Sequence, residues 1–131
     1  MFTAKLITYR GEYKVVECNS INIPTPDGRR GILPNHMPIM LPIDLGIMYI
    51  TENGEKKKYT VTEGIFYFEN NEATVLCDAI EDAATIDRER AVLQQQKAEE
   101  TIRSSDNESD IRRAQLALRK AINRIKAIDN D

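Results

Sequence analysis

The sequence has one histidine, two cysteines and no tryptophan, and this scarcity removes several kinds of chemistry together. A structural zinc site takes about four nitrogen or sulfur ligands, whereas Cys18, Cys77 and His36 are fewer and lack CxxC spacing. A thiol nucleophile needs a nearby base, and a serine triad needs an imidazole to serve it. His36, set between Asn35 and Met37 in a proline-bounded segment, reads as a structural hydrogen-bonding residue, and both cysteines read as reduced thiols in or near a core. A Walker-type glycine loop is missing too, so independent catalysis is not expected. Nowhere do 18 apolar residues run together, and Met1–Lys14 alternates apolar with polar residues. Neither a membrane-crossing helix nor a secretory signal is expected, so direct membrane insertion is not. With 41% apolar and 30% charged residues and a net charge of −3, the chain has the composition of a soluble globular protein. That charge gives no global attraction to nucleic acid or anionic lipid.

Other absences are regional. All six glycines lie at or before Gly64, all five prolines fall between Pro24 and Pro42, and no aromatic follows Phe68. Residues 1–84 carry 8 basic and 12 acidic side chains, against 10 and 9 in residues 85–131. The vocabulary therefore changes once, near Ala83–Asp87, and 131 residues allow one compact domain with an appendage. The expected architecture is α+β: a β-sandwich of about ten short strands over residues 1–84, followed by an antiparallel α-helical hairpin over residues 85–131.

In the first part, short segments rich in β-branched and aromatic residues recur at close spacing: 4–8, 13–17, 20–24, 46–51, 57–62, 65–69 and 74–77. That rhythm is the signature of a sandwich. Glu52-Asn53-Gly54-Glu55 contains the Asn-Gly pair that suits a type I′ hairpin turn. Lys56-Lys57-Lys58 reads as a solvated edge that discourages stray strand pairing.

The second part predicts helices over Asp87–Arg103 and from about Ser105 onward, with Ser105 and Glu108 spaced as a capping box for the second. At 100° per residue, Ile111, Ala114, Ala117, Leu118, Ala121, Ile122, Ile125 and Ile128 form one stripe. Arg112, Arg113, Arg119, Lys120, Arg124 and Lys126 fill the opposite face, with no acidic residue from Ile111 through Ile128. Such a face is compatible with simple solvation, with nucleic acid, or with an acidic protein surface. The acidic sum and the lack of aromatics beyond Phe68 weigh against nucleic acid. The first helix is a poorer partner, since Ala91, Ala98 and Ile102 are interrupted by Gln94 and Gln95. A hairpin with so little to bury is marginal alone, and marginal elements can act as switches.

The most demanding stretch is Gly28 to Leu41, where two glycines and two prolines alternate with Ile32, Leu33, Met37, Ile39 and Leu41. Glycine opens backbone angles and proline fixes them, so this segment reads as short strands joined by an ordered bend. Its wording, G-x-x-G-I-L-P-N-H-x-P, resembles the signature of the ε subunit of bacterial F-type ATP synthases. The length and order of parts agree along essentially the whole chain. Ile86-Asp87-Arg88-Glu89-Arg90-Ala91 also matches I-D-x-x-R-A, found in ATP-binding members of that family.

The resemblance implies a non-catalytic central-stalk subunit on the cytoplasmic face of a bacterial cell membrane, held there through partners. It would contact the γ subunit and the c-ring, help couple ion flow to ATP synthesis, and restrain ATP hydrolysis through the hairpin. Partner contacts would fall on Gly31, Ile32, Leu33, Pro34, His36 and Met37, and on the basic face of the second helix toward an acidic segment of the β subunit. No cofactor is required. ATP is expected as a regulatory ligand, with Glu81 and Asp87 toward the adenine or ribose, Arg90 toward the phosphates beside Ala91, and Lys97, Lys120 and Arg124 completing a clamp. Lys97 and Lys120 depart from the family's tightest pattern, which often has arginine, because lysine lacks the bidentate fork. The alternative is a free-standing nucleotide-sensing or nucleic-acid-binding module of the same architecture.

Overall fold

The computed structural model describes residues 1–129. The chain divides into two compact units, Met1–Ala83 and Ala84–Asp131.

The first unit is a sandwich of two five-stranded sheets. One contains β1 (Phe2–Thr8), β2 (Gly11–Cys18), β5 (Ile39–Ile43), β8 (Gly64–Glu69) and β9 (Glu72–Cys77), in the order β2-β1-β9-β8-β5. The other contains β3 (Ser20–Thr25), β4 (Gly28–Ile32), β6 (Gly46–Glu52), β7 (Glu55–Val61) and β10 (Ile80–Asp82), in the order β10-β7-β6-β3-β4. The neighbours β1 and β9 run parallel, while every other pair is antiparallel. Alternation along the strands makes the core. In β1, Phe2, Ala4 and Leu6 face inward; in β8, Phe66 and Phe68 do, while Ile65 and Tyr67 point to solvent. Ile21, Ile23, Ile32, Met48 and Ile50 answer from the second sheet, all fully buried. The Phe2 and Phe68 rings meet edge to face with centroids 5.3 Å apart, the arrangement favoured by aromatic quadrupoles.

The seven strand segments read from the sequence are all strands, and Gly28–Leu41 supplies β4 and most of β5. The Asn53-Gly54 turn takes left-handed angles at both central residues, φ 53° and 80°, as a type I′ turn requires. A second turn of that kind, Asn70-Asn71 with φ 52° and 58°, joins β8 to β9. Close approach explains Gly64, where a Cβ would sit 1.9 Å from the Leu76 carbonyl oxygen. Lys56–Lys58 do not lie on a sheet edge as such, because β7 is flanked by β6 and β10. They occupy the half of β7 that short β10, paired only with Tyr59–Val61, does not reach.

The second unit contains α1 (Arg88–Ser104) and α2 (Glu108–Asp129). Asp87 caps α1, its carboxylate accepting the Arg90 N–H at 3.2 Å. The expected capping box is replaced. Ser105 ends α1, and its hydroxyl oxygen accepts the Asn107 N–H at 3.1 Å, so it is not available to α2. Asn107 caps α2 instead, accepting the N–H groups of Ser109 at 2.9 Å and Asp110 at 3.4 Å. Alanines are the only residues of these helices that are buried among those described: Ala91 and Ala98 on α1, and Ala114, Ala121 and Ala127 on α2. Ala117, counted in the apolar stripe, is exposed.

Candidate functional site

Two constructions stand out, one in each unit. The first is the bend between β4 and β5. The Leu33 carbonyl accepts the His36 N–H at 3.3 Å, closing a four-residue turn with Pro34 second and Asn35, φ 63°, third. Proline presets the second position and asparagine tolerates the left-handed third, the chemistry of a type II turn. Asn71 anchors the turn: its side-chain oxygen accepts the Asn35 N–H at 2.8 Å, and its amide donates to the Met1 carbonyl at 3.0 Å. His36 lies edge-on to Phe68 at 6.1 Å, and its Nδ1–H donates to the Met37 carbonyl at 2.7 Å. Ile32 is buried and roots the bend in the core. Gly31, Leu33 and Met37 are exposed, and Pro34 and His36 are partly so. A tightly bonded backbone therefore presents large apolar side chains to solvent, with Leu33 65% and Met37 72% exposed.

The second construction is a groove of about 740 Å³ between α1 and α2. Its floor is Ala98, Ala114 and Ala117, and Lys97, Arg113, Lys120 and Arg124 project around it. Arg124 ties the two helices, its Nη1–H donating to Gln94 Oε1 at 2.8 Å. Arg113 pairs with Asp110 at 2.9 Å, one turn back on the same helix. The groove thus has an excess of cations over its one carboxylate, Asp110.

The basic face of α2 is accordingly not one surface. Arg113, Lys120 and Arg124 line the groove, leaving Arg112, Arg119 and Lys126 as an exposed row at seven-residue intervals. At about 100° per residue those two sets differ by about a third of a turn.

Among the residues expected around a nucleotide, Lys97, Lys120 and Arg124 are brought together at this groove. Asp87, Arg90 and Ala91 form the first turn of α1, with Ala91 buried and its N–H bonded to the Asp87 carbonyl at 3.1 Å. Arg90 is exposed, one turn before Gln94. Glu81 belongs to the first unit, on β10, where its carboxylate accepts the Thr60 hydroxyl at 3.5 Å. Asp110, Arg113 and Gln94 were not among the expected groove residues. The signal for Arg113 was its place 100° from Arg112, the same side as Lys120.

Comparison with known proteins covers both units. The family model described as ATP synthase, Delta/Epsilon chain, beta-sandwich domain matches residues 1–83, and that described as the long alpha-helix domain matches residues 85–129. The chain is 39% identical over 113 residues to the ATP synthase epsilon chain of Desulforamulus reducens, covering 86% of each chain. It is 33% identical over 129 residues to that of Desulfitobacterium hafniense, covering 98% of this chain and 97% of the relative. Its fold is shared with a chain of the Euglena gracilis mitochondrial ATP synthase, with a TM-score of 0.79 at 18% identity, covering 93% of this chain and 78% of the other. It is shared also with a chain of the Tetrahymena thermophila mitochondrial ATP synthase central stalk and c-ring, with a TM-score of 0.64 at 16% identity, covering 97% and 96%.

Proposed function

The chain belongs to the ATP synthase epsilon-chain family, and from that premise we propose that it works without catalysis of its own, as a central-stalk subunit of a rotary ATP synthase. The observation that carries this reading is the braced bend from Gly31 to Met37, which holds Leu33 and Met37 out of the core on a fixed backbone. Exposed apolar side chains on an ordered scaffold suit a lasting protein contact, since no loop has to be ordered on binding. The partners are the γ subunit and the c-ring, and through them the protein sits peripherally on the cytoplasmic face of the membrane and helps couple ion flow to ATP synthesis. No helix among the described residues is long and apolar enough to cross a membrane. Co-purification tests the reading. The parent chain should retain γ and c subunits through detergent extraction, whereas Leu33→Asp with Met37→Asp should lose them while keeping the parent circular dichroism. Equal retention by both would sink the stalk contact.

The hairpin restrains ATP hydrolysis in this reading. Arg112, Arg119 and Lys126 meet an acidic segment of the β subunit, and ATP in the α1–α2 groove favours the folded hairpin. Support for ATP is the gathering of Lys97, Lys120 and Arg124 around one groove with Arg113. A ligand shifts such an equilibrium only through its differential affinity for the two states. Calorimetry on the isolated protein should give saturable heat with ATP that is lost in Arg124→Ala; no heat at millimolar ATP would remove the nucleotide from the scheme.

A further inference from the structure

The outer face of the second sheet carries a feature that neither the stalk contact nor the hairpin uses. In the antiparallel register Asn22 stands opposite Tyr49, Tyr49 opposite Lys58, and Thr51 opposite both Ser20 and Lys56. Residues opposite one another share a face, so Ser20, Asn22, Tyr49, Thr51 and Lys56 all point away from the core. Arg29 of β4 reaches over from the next strand. Its Nε–H donates to the Asn22 side-chain oxygen and its Nη2 to the Ile47 carbonyl, which fixes the guanidinium. Its central carbon lies 4.9 Å from the centre of the Tyr49 ring, and the Lys56 ammonium lies 4.3 Å from it.

Two cations are thus held at one aromatic ring. Attraction to the ring offsets only part of their mutual repulsion. Neither has a carboxylate within ion-pair distance among the described residues, although Lys5, Lys57, Arg88 and Arg113 each do. The six side chains enclose a shallow cavity of about 490 Å³. Its lining comprises the two cations, hydroxyls from Ser20, Thr51 and Tyr49, and the Asn22 amide, with no acidic group. Hydroxyl and cationic donors without a competing carboxylate are the chemistry that takes up an oxyanion, and a guanidinium already fixed in place loses little freedom on binding.

We propose that this cavity is a binding site for a phosphate-type anion, with Arg29 and Lys56 as its charged ligands and the Ser20 and Thr51 hydroxyls as neutral donors. The anion arrives either as a soluble phosphate compound or as the headgroup of an anionic lipid.

Two probes separate these sources. In the first, pyrophosphate is titrated into the full-length protein and amide resonances are followed. The expected result is saturable shifts at Arg29, Tyr49, Thr51 and Lys56, at least tenfold weaker in Lys56→Gln and unchanged in Arg124→Gln, whose altered residue lies in the hairpin groove. In the second, the protein is sedimented with phosphatidylglycerol vesicles and with phosphatidylcholine vesicles. Selective binding to the former, lost in Lys56→Gln, supports the site with a lipid headgroup as the occupant. Lys56→Gln leaves every core residue in place, and circular dichroism checks that it folds. The proposal is overturned if neither probe binds, if shifts spread over all basic residues without saturating, or if Lys56→Gln binds as the parent does.

Discussion

At the scale of single residues, Gly64 makes a firm demand on the backbone, and burial does the same for the two thiols. A Cβ at Gly64 would lie 1.9 Å from the Leu76 carbonyl oxygen and 2.9 Å from the Cys77 Cα, atoms of the neighbouring strand that cannot swing aside. Gly64→Ala should therefore push β8 away from β9 and cost about 2 kcal/mol or more, read as a lowered urea midpoint. The cysteines give a chemical prediction. Burial pushes the Cys18 and Cys77 thiols up to about 12. At pH 8 only on the order of one in ten thousand would be thiolate, so Ellman's reagent should react slowly with the native protein and at once when urea is added. Rapid labelling of the folded chain would contradict the packing described here. Much at this scale was legible beforehand. Asn53-Gly54 announces its turn because both residues enter the left-handed region readily. Asn70-Asn71 forms the same kind of turn and was missed, since without glycine the pair looks like ordinary surface polarity. The anchoring role of Asn71 joins residues 70 positions apart and has no local signal at all.

At the scale of elements, the hairpin is where sequence periodicity was least sufficient. An apolar stripe says which side of α2 turns inward but not how far α1 can cover it, and only alanines are buried across the pair. At about 0.8 kcal/mol per buried methyl, the seam formed by Ala91, Ala98, Ala114 and Ala121 supplies roughly 3 kcal/mol before ordering costs are subtracted. Polar ties at the sides and ends are correspondingly important. Arg88 and Asp129 form a two-pronged ion pair at 3.0 Å, joining the start of α1 to the end of α2. Hydrogen bonding to Arg88 holds the Asp129 carboxyl below its usual range. A group so depressed contributes fully above its unfolded pKa and loses its contribution as the pH falls through the folded one. The pair should therefore strengthen the hairpin at neutral pH and cease to do so in acid. The helical signal of the parent at 222 nm should exceed that of Asp129→Asn after mild heating at pH 7, and the difference should shrink as the pH is lowered through and below the usual carboxylate range. A constant difference across that range would show that the tie is not electrostatic. The splitting of the basic face follows from the same cause, because a helical wheel does not specify which flank meets the partner helix. Arg124 turns to Gln94, so neutralising Arg112, Arg119 and Lys126 alone should relieve inhibition of ATP hydrolysis in the assembled enzyme while leaving ATP binding by the isolated protein unchanged.

At the scale of the whole molecule, the two units differ in how they are held. The first has a core of large side chains from two sheets, while the second rests on small ones and polar ties. A chain ending after Ala84 should accordingly give a cooperative urea transition and β-type circular dichroism, and it should still retain γ. An unfolded fragment would mean that the sandwich depends on the helices. The two-part plan was readable because glycine, proline and aromatic residues all stop before the helices begin. Strand order was not, because alternation assigns faces and says nothing about neighbours. The pairing of β1 with β9 has a consequence in time. Thr3 meets Glu72 and Thr8 meets Cys77 in parallel register, so β1 leaves the ribosome well before β9 and has only β2 beside it in its sheet until β9 follows. Long-range strand pairing of this kind delays folding into the millisecond-to-second range. The nascent chain therefore carries the β9-facing edge of β1 unpaired until residues 72–77 have emerged, and the first sheet closes only as the helices are being made.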